Sequence, residues 1–446
     1  MIVLDSFVSF LRTAATCLRS AVNSAERMSS VLVLVSAVVA CVSCGRAGES
    51  VYGGKPKYLW IDACANYERF SVRDSVDFYL DKAADAGFNR IVVDVRSLGG
   101  GVLFTSRTQP SYDIQRGYPV RDWDYLSYFI DAAHSRSMKI SVSTTFFTAG
   151  FPSTEVGPAY DDPAFKGRTC IENTPCGMVD VKYQKDKVAA FLNPALPENQ
   201  EYVLDVVREI ASRYDIDGYS LDYCRYPDMY GDFSDFSRSD FEHCTGLTVE
   251  SWPDDIFSYD ADGNIVAGKY YRAWWTYRAS VITDFIARAV AAVKTFRPEA
   301  EVSYWAPAWI YAIYGNGQNW ASARHAIHQD RYVEGWCDEN YMTSGFASEI
   351  DAFMLGAYFE HVFDFNGCES VEYAVRRANS LIKGDCRLYT SVYALNHRYN
   401  CEDAVYVALR DSEGLMVFDI CQVIEFDLWN DILRGVLRAE PELKRK

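Results

Sequence analysis

Asp217-Gly218-Tyr219-Ser220-Leu221-Asp222-Tyr223-Cys224-Arg225-Tyr226-Pro227 reads as a short buried strand that stops on a carboxylate, Asp222, and then turns through Tyr223, Arg225 and Pro227. In a barrel, a carboxylate at the C-terminal end of a strand stands where catalytic groups gather. Outward from this stretch, strand-like and helix-like segments alternate along the chain, the pattern of a parallel α/β fold. Eight strands are expected, at residues 58–62, 90–96, 139–145, 218–222, 301–305, 352–358, 387–392 and 415–418. Amphipathic stretches between them, such as 72–86, 124–136, 198–214, 270–296 and 369–383, are expected helices. The pattern predicts a (β/α)8 TIM barrel over residues 57–440, with long loops on its catalytic face.

An open doubly wound sheet is the alternative, but no Gly-rich phosphate turn follows the first strand. Leu98-Gly99-Gly100-Gly101 after the second lacks the Gly-x-Gly-x-x-Gly spacing and is expected to be a flexible turn. Two connections are long, 146–192 and 228–269. The second holds Asp260-Ala261-Asp262-Gly263-Asn264, which approaches a calcium loop but puts Lys269 where the bidentate Glu belongs. A tight turn fits it better.

The 446 residues are 49% hydrophobic, enough for a large core, and carry a formal net charge of −17. That balance argues against a nucleic-acid partner, which draws on clustered Lys and Arg. The 31 Tyr and 10 Trp offer flat faces suited to the apolar C–H faces of sugars, or simply fill a large core. Near the N-terminus an apolar run, 31–40, follows Arg12, Arg19 and Arg27. Val38-Val39-Ala40-Cys41 resembles a bacterial lipoprotein signal, which implies export and a lipid anchor on Cys41, with Cys44 as the other candidate. Residues 1–44 are then a signal peptide and 45–56 a linker. An ordinary cleaved signal peptide is the alternative.

Of the 13 cysteines, ten lie beyond residue 44, and in an exported protein Cys170 and Cys176 are the most plausible local pair. The Cys-x-x-Cys spacing occurs at Cys41 and Cys44, inside the signal region, so no metal site is expected. His325 and His328 have a helical spacing but no third ligand. No Gly-x-Ser-x-Gly elbow or His-Glu-x-x-His motif is present, and no cofactor is expected.

Phe191-Leu192-Asn193-Pro194, the following helix, and then Tyr214-Asp215-Ile216-Asp217-Gly218 running to Asp222-Tyr223-Cys224-Arg225-Tyr226-Pro227 resemble the glycosyl-hydrolase-like family of bacterial lipoproteins known as "family 10 glycosylhydrolase", distinct from the classical xylanases. Ala86-Gly87-Phe88-Asn89 leading to Val95-Arg96, and Ala132-Ala133-His134, extend the likeness over residues 56 to 430. The resemblance implies a TIM barrel acting on glycosidic bonds. At the sixth strand, Gly356-Ala357-Tyr358-Phe359 replaces a Gln-x-Tyr-Trp-like ending, so substrate identity does not transfer from relatives.

Glycoside hydrolysis asks for two carboxyl groups flanking the bond, one protonated and one ionised. Asp222 is the first candidate. It ends the fourth strand as the nucleophile does in barrels resembling α-amylase, although Ser220 stands where those enzymes place an arginine; pairing with Arg225 or Arg96 is its structural alternative. Glu360, just past the sixth strand, is the partner that could reach the mouth. Asp94 and Asp62 are alternatives, and Asp94 is as well suited to a buried salt bridge with Arg96. Arg96 and Arg225 are candidates to bind hydroxyls, and Tyr226, Trp305, Trp309 and Tyr358 to stack on sugar rings. Asp217, at the strand's N-terminal end, is expected to support the fold. A non-catalytic carbohydrate-binding lipoprotein on the same barrel is the competing expectation.

Overall fold

The computed structural model of the chain describes residues 54–330, 335–367 and 369–443. The apolar run 31–40, Cys41 and Cys44 lie outside the described residues. Eight parallel strands close into one barrel, in sequence order around the ring. They are β1 Lys57–Ile61, β2 Arg90–Asp94, β3 Lys139–Thr145, β4 Gly218–Asp222, β5 Glu301–Pro307, β6 Ala352–Gly356, β7 Arg387–Tyr393 and β8 Gly414–Phe418. Each falls on a segment expected from the sequence, and the (β/α)8 TIM barrel is the fold. Lys57 opposite Leu415 and Leu59 opposite Val417 join β1 to β8, so the barrel has no free edge.

Side chains alternate between two cores along each strand. Leu59, Ile91, Val142, Leu221 and Phe353 face outward under the helices. Tyr58, Trp60, Val92, Met354, Tyr389 and Met416 face inward and fill the barrel. The same alternation carries Asp94, two residues after Val92, and Asp222, two after Ser220, to the inner face at the mouth. At the opposite end the inner face holds Glu301, which is almost fully buried. It accepts hydrogen bonds from Tyr58 at 2.6 Å and Tyr389 at 2.9 Å, and pairs with Arg90 at 3.3 Å and Arg387 at 2.7 Å.

The principal covering helices are α1 Arg73–Asp85, α2 Tyr125–Ser135, α3 Pro197–Arg213, α4 Tyr271–Phe296, α5 Val371–Ile382, α6 Cys401–Asp411 and α7 Trp429–Leu443. Helix α2 starts where the Asp124 carboxylate caps the Ser127 N–H, and α5 buries Val371, Val375, Ala378 and Ile382 along one stripe. The β5–β6 connection is built differently, from the short helix Ile310–Gly315 and 3-10 turns at Ile327–Gln329, Glu339–Ser344 and Ala347–Glu349. No helix of the described residues is long and apolar enough to cross a membrane.

Both long connections carry structure of their own. The first contains the hairpin Ile171–Thr174 with Gly177–Asp180; the second contains the helix Asp235–Thr245 and the hairpin Phe257–Tyr259 with Ile265–Ala267. Asp260 closes the latter as a tight turn by accepting the N–H groups of Asp262 and Asn264. Buried Asn193 of the Leu-Asn-Pro segment ties the two connections together, donating to Asp232 at 2.7 Å and Ser237 at 3.0 Å.

Three local expectations are corrected. Cys170 and Cys176 are not bonded: Cys170 is buried against the Leu192 carbonyl, while Cys176 is exposed between the hairpin strands. His325 and His328 do not share a helix face, since His325 meets Asp330 in an irregular segment. The glycine run after β2 is closely packed rather than loose, because a Cβ at Gly99 would lie 2.3 Å from the Phe151 ring.

Candidate functional site

At the C-terminal mouth the barrel opens into a cavity of about 620 Å³. The strand ends supply its wall: Trp60 and Asp62 at β1, Asp94 at β2, Thr145 at β3, Asp222 and Tyr223 at β4, Trp305 from β5, Tyr358 past β6, and Phe418 from β8. Two backbone features shape it. Tyr223 adopts φ of 48°, a region few non-glycine residues enter, and its N–H returns to the Asp222 carboxylate at 2.8 Å. Trp305 lies across the end of β6 because position 356 is glycine; a Cβ there would be 2.9 Å from the indole.

The acids of this cavity are enclosed and weakly compensated. Burial pushes the Asp222 carboxyl up to about 7, with Asp62 adding to the rise and the Tyr223 N–H and Arg225 opposing it. Burial, then the charges of Asp62 and Asp222, hold Asp94 well above the usual carboxylate range. Its backbone partners are distant, the Arg96 N–H at 3.3 Å and the Ala63 N–H at 3.4 Å. Asp62 is also raised by burial, but the N–H groups of Cys64 at 2.9 Å and Ala65 at 2.7 Å favour its charged form. Among the described residues no cation stands within ion-pair reach of these three acids; Arg225 acts on Asp222 from further away.

The candidates named from sequence separate into three groups. Asp62, Asp94, Asp222, Trp305 and Tyr358 come together in the cavity. Arg225 and Trp309 line a neighbouring cavity, where the Arg225 guanidinium donates to the Tyr226 and Pro227 carbonyls, both at 3.0 Å. Glu360, Arg96 and Tyr226 stand apart from the mouth. Glu360 is exposed, because β6 ends at Gly356 and the chain turns away before reaching it. Arg96 is buried and spends its guanidinium on the Thr145 and Thr148 carbonyls, so it forms no salt bridge with Asp94. Tyr226 is core, its ring 4.3 Å from the buried Arg278 guanidinium. Asp217 pairs with His134 at 2.9 Å and accepts the Ile140 N–H at the strand's N-terminal end.

Several site residues escaped the sequence argument. Trp60 had a signal, since it alternates with Tyr58 on the first strand. Asp419 had one too, following β8 as Asp62 follows β1; it accepts the Asp62 N–H at 3.0 Å and the Asn66 amide at 2.8 Å. No sequence signal marks Tyr223 as a wall residue, because its orientation comes from its backbone conformation. Among the described residues no three or more His, Cys, Asp or Glu side chains are grouped to hold a metal ion.

In a closed (β/α)8 barrel, buried acids and aromatic rings at the C-terminal mouth stand where this fold builds its active sites. The sequence model of the family described as "Glycosyl hydrolase-like 10" matches residues 57–399, and the chain belongs to that family. An S-layer-related protein of Niallia circulans is 27% identical over 394 residues, which cover 83% of this chain and 24% of that protein. The chain thus spans about a quarter of that relative's length. Among solved structures, the PgaB (BpsB) glycoside hydrolase domain of Bordetella bronchiseptica superposes with a TM-score of 0.57 at 14% identity, over 85% of this chain and 99% of that one. The catalytic domain of β-amylase from Paenibacillus polymyxa gives a TM-score of 0.53 at 11% identity, over 87% and 99%. At such identities the likeness is one of fold.

Proposed function

We propose that the barrel is a glycoside hydrolase that cleaves a glycosidic bond held in the mouth cavity, with Asp222, Asp94 and Asp62 as its carboxyl groups. One observation carries this reading: three enclosed acids without a cationic partner share one aromatic-walled cavity. Acids kept there for stability alone would be expected to have partners. Family membership supports the same class of reaction.

Asp222, raised to about 7, holds a proton near neutral pH and suits donation to the departing glycosidic oxygen. Asp62 carries the charge beside it, because the Cys64 and Ala65 N–H groups favour its ionised form, whereas burial and its two acidic neighbours favour a proton on Asp94. That charge faces the positive character developing on the sugar ring, as nucleophile or as base for water. Trp60, Trp305, Tyr358 and Phe418 offer flat faces for the sugar.

The test is release of reducing ends from a glycan panel by the full chain and by Asp222→Asn, Asp94→Asn and Glu360→Gln. Either Asn substitution should lower turnover about 10²- to 10⁴-fold, the range for a lost acid or base. Glu360→Gln should leave it unchanged. Full activity in both Asn variants would remove both residues from the mechanism. Glycan binding without hydrolysis by the unsubstituted chain would favour a carbohydrate-binding protein on the same barrel.

A further inference from the structure

A second cavity, of about 460 Å³, adjoins the first, and Tyr223 and Trp305 line both. One side comes from the chain after β4, with Arg225, Asp228 and Tyr230; the other comes from the chain after β5, with Trp309, Tyr311 and Asn316. The rings of Trp309 and Tyr311 are nearly parallel, 7° apart in plane with centroids 6.2 Å apart, and Tyr311 is 61% exposed. Packing does not explain such a pair. A half-buried ring lying parallel to an exposed one on the wall of a cleft forms a platform for a flat apolar face.

The floor of this cavity is rigidly built. Arg278 is fully buried beneath it, its guanidinium 4.3 Å from the Tyr226 ring and 5.1 Å from the Trp275 ring. It donates to the Asp228 carbonyl on one side, and to the Tyr314 carbonyl at 3.4 Å and the Gly315 carbonyl at 3.2 Å on the other. The Asn316 amide bridges the same sides by donating to the Tyr226 carbonyl at 3.1 Å and the Pro227 carbonyl at 2.8 Å. A cleft formed in advance spares its ligand the entropy of ordering it.

We infer that the second cavity binds sugar units next to the scissile bond, on the same glycan chain that enters the mouth, so the substrate is an oligosaccharide or polysaccharide spanning both cavities. The identity of the ligand rests on the glycosidase reading of the mouth. The Trp309–Tyr311 platform takes the apolar face of a sugar, and Arg225 and the Asn316 amide oxygen supply polar groups at the rim, where Asp228 is paired with Lys187 at 2.6 Å. Tyr223 and Trp305 form the wall over which the chain passes from one cavity to the next.

The experiment titrates oligosaccharides of two and of six units, from the β-glucan, mannan, xylan, α-glucan and hexosamine series, into the full chain and into Trp309→Ala/Tyr311→Ala. Binding is read by calorimetry on an Asp222→Asn background, so no probe is consumed. In one series or more the six-unit probe should bind roughly tenfold more tightly than the two-unit probe, the effect expected of a well-stacked ring. The double substitution should abolish that gain. Trp309→Phe, which keeps a ring, should restore part of it and so separate loss of the platform from misfolding. Equal affinity for both lengths in every series, no binding in any series, or a length gain that survives the double substitution would overturn the inference. A platform-dependent length gain in a chain that hydrolyses nothing would uphold the subsite and refute the hydrolase reading.

Discussion

The two ends of the barrel both bury carboxyl groups, and they treat them in opposite ways. At the N-terminal end Glu301 meets two guanidinium groups and two phenol hydroxyls. At the C-terminal mouth Asp62, Asp94 and Asp222 meet backbone N–H groups, one another, and aromatic walls. Burial is common to both, so burial does not mark a functional acid. Compensation separates the two ends: a carboxyl held for stability is given partners, and the shifted proton equilibria at the mouth are what the proposed chemistry would use.

The contrast breaks most visibly under substitution. A carboxamide at Asp222 or Asp94 should cost the 10²- to 10⁴-fold in turnover given above while leaving a folded chain. Glu301→Ala should do the reverse, lowering unfolding stability in denaturant by about 3 kcal/mol by stranding the largely buried Arg90 guanidinium and the Tyr58 and Tyr389 hydroxyls, with the chemistry of the mouth intact. If Glu301→Ala were harmless, or if Asp222→Asn unfolded the barrel, the division between the ends would fail. A smaller effect tests the shape of the mouth. Gly356→Ala forces Trp305 to move, and should cost about 1–3 kcal/mol and weaken glycan binding.

A last effect is on the pH dependence of stability. The Asp222 carboxyl has an ordinary value of 3.8 and is raised to about 7 in the folded chain. Across that interval the folded chain holds a proton that the unfolded chain has released, so the stability contributed by this group is lost as pH rises toward 7. Thermal unfolding should therefore show Asp222→Asn gaining on the unsubstituted protein as pH rises through the same interval. A difference independent of pH would mean that the group titrates normally.

The barrel was legible because parallel strands buried on both faces appear as short apolar runs, and turns and amphipathic helices punctuate them. The position of Asp222 at the end of its strand was legible in the same way, and the alternation of side chains along β2 and β4 carries Asp94 and Asp222 to the inner face. It failed beyond the strand ends, where side-chain direction no longer follows a period of two. Glu360 looked close in sequence to the mouth, yet β6 stops at Gly356 and leaves it in solvent. Arg96 lies past the end of β2, in a segment that bridges to Val102, and its guanidinium serves neighbouring carbonyls. Tyr226 and Trp309 were equal candidates by residue type, and tertiary packing sends the first into the core and the second to a cleft. Asp419 was missed by one position, where the eighth strand was expected to end.

Arg278 has a bearing on how this scaffold could be redesigned. One guanidinium on α4 holds the loop after β4 and the loop after β5 by their carbonyls, so neither can be exchanged alone without orphaning the cation beneath the other. The transferable unit is the loop, the helix and the loop together. A graft that respects this boundary should carry its specificity with it, and one that cuts through it should lose expression before it changes substrate.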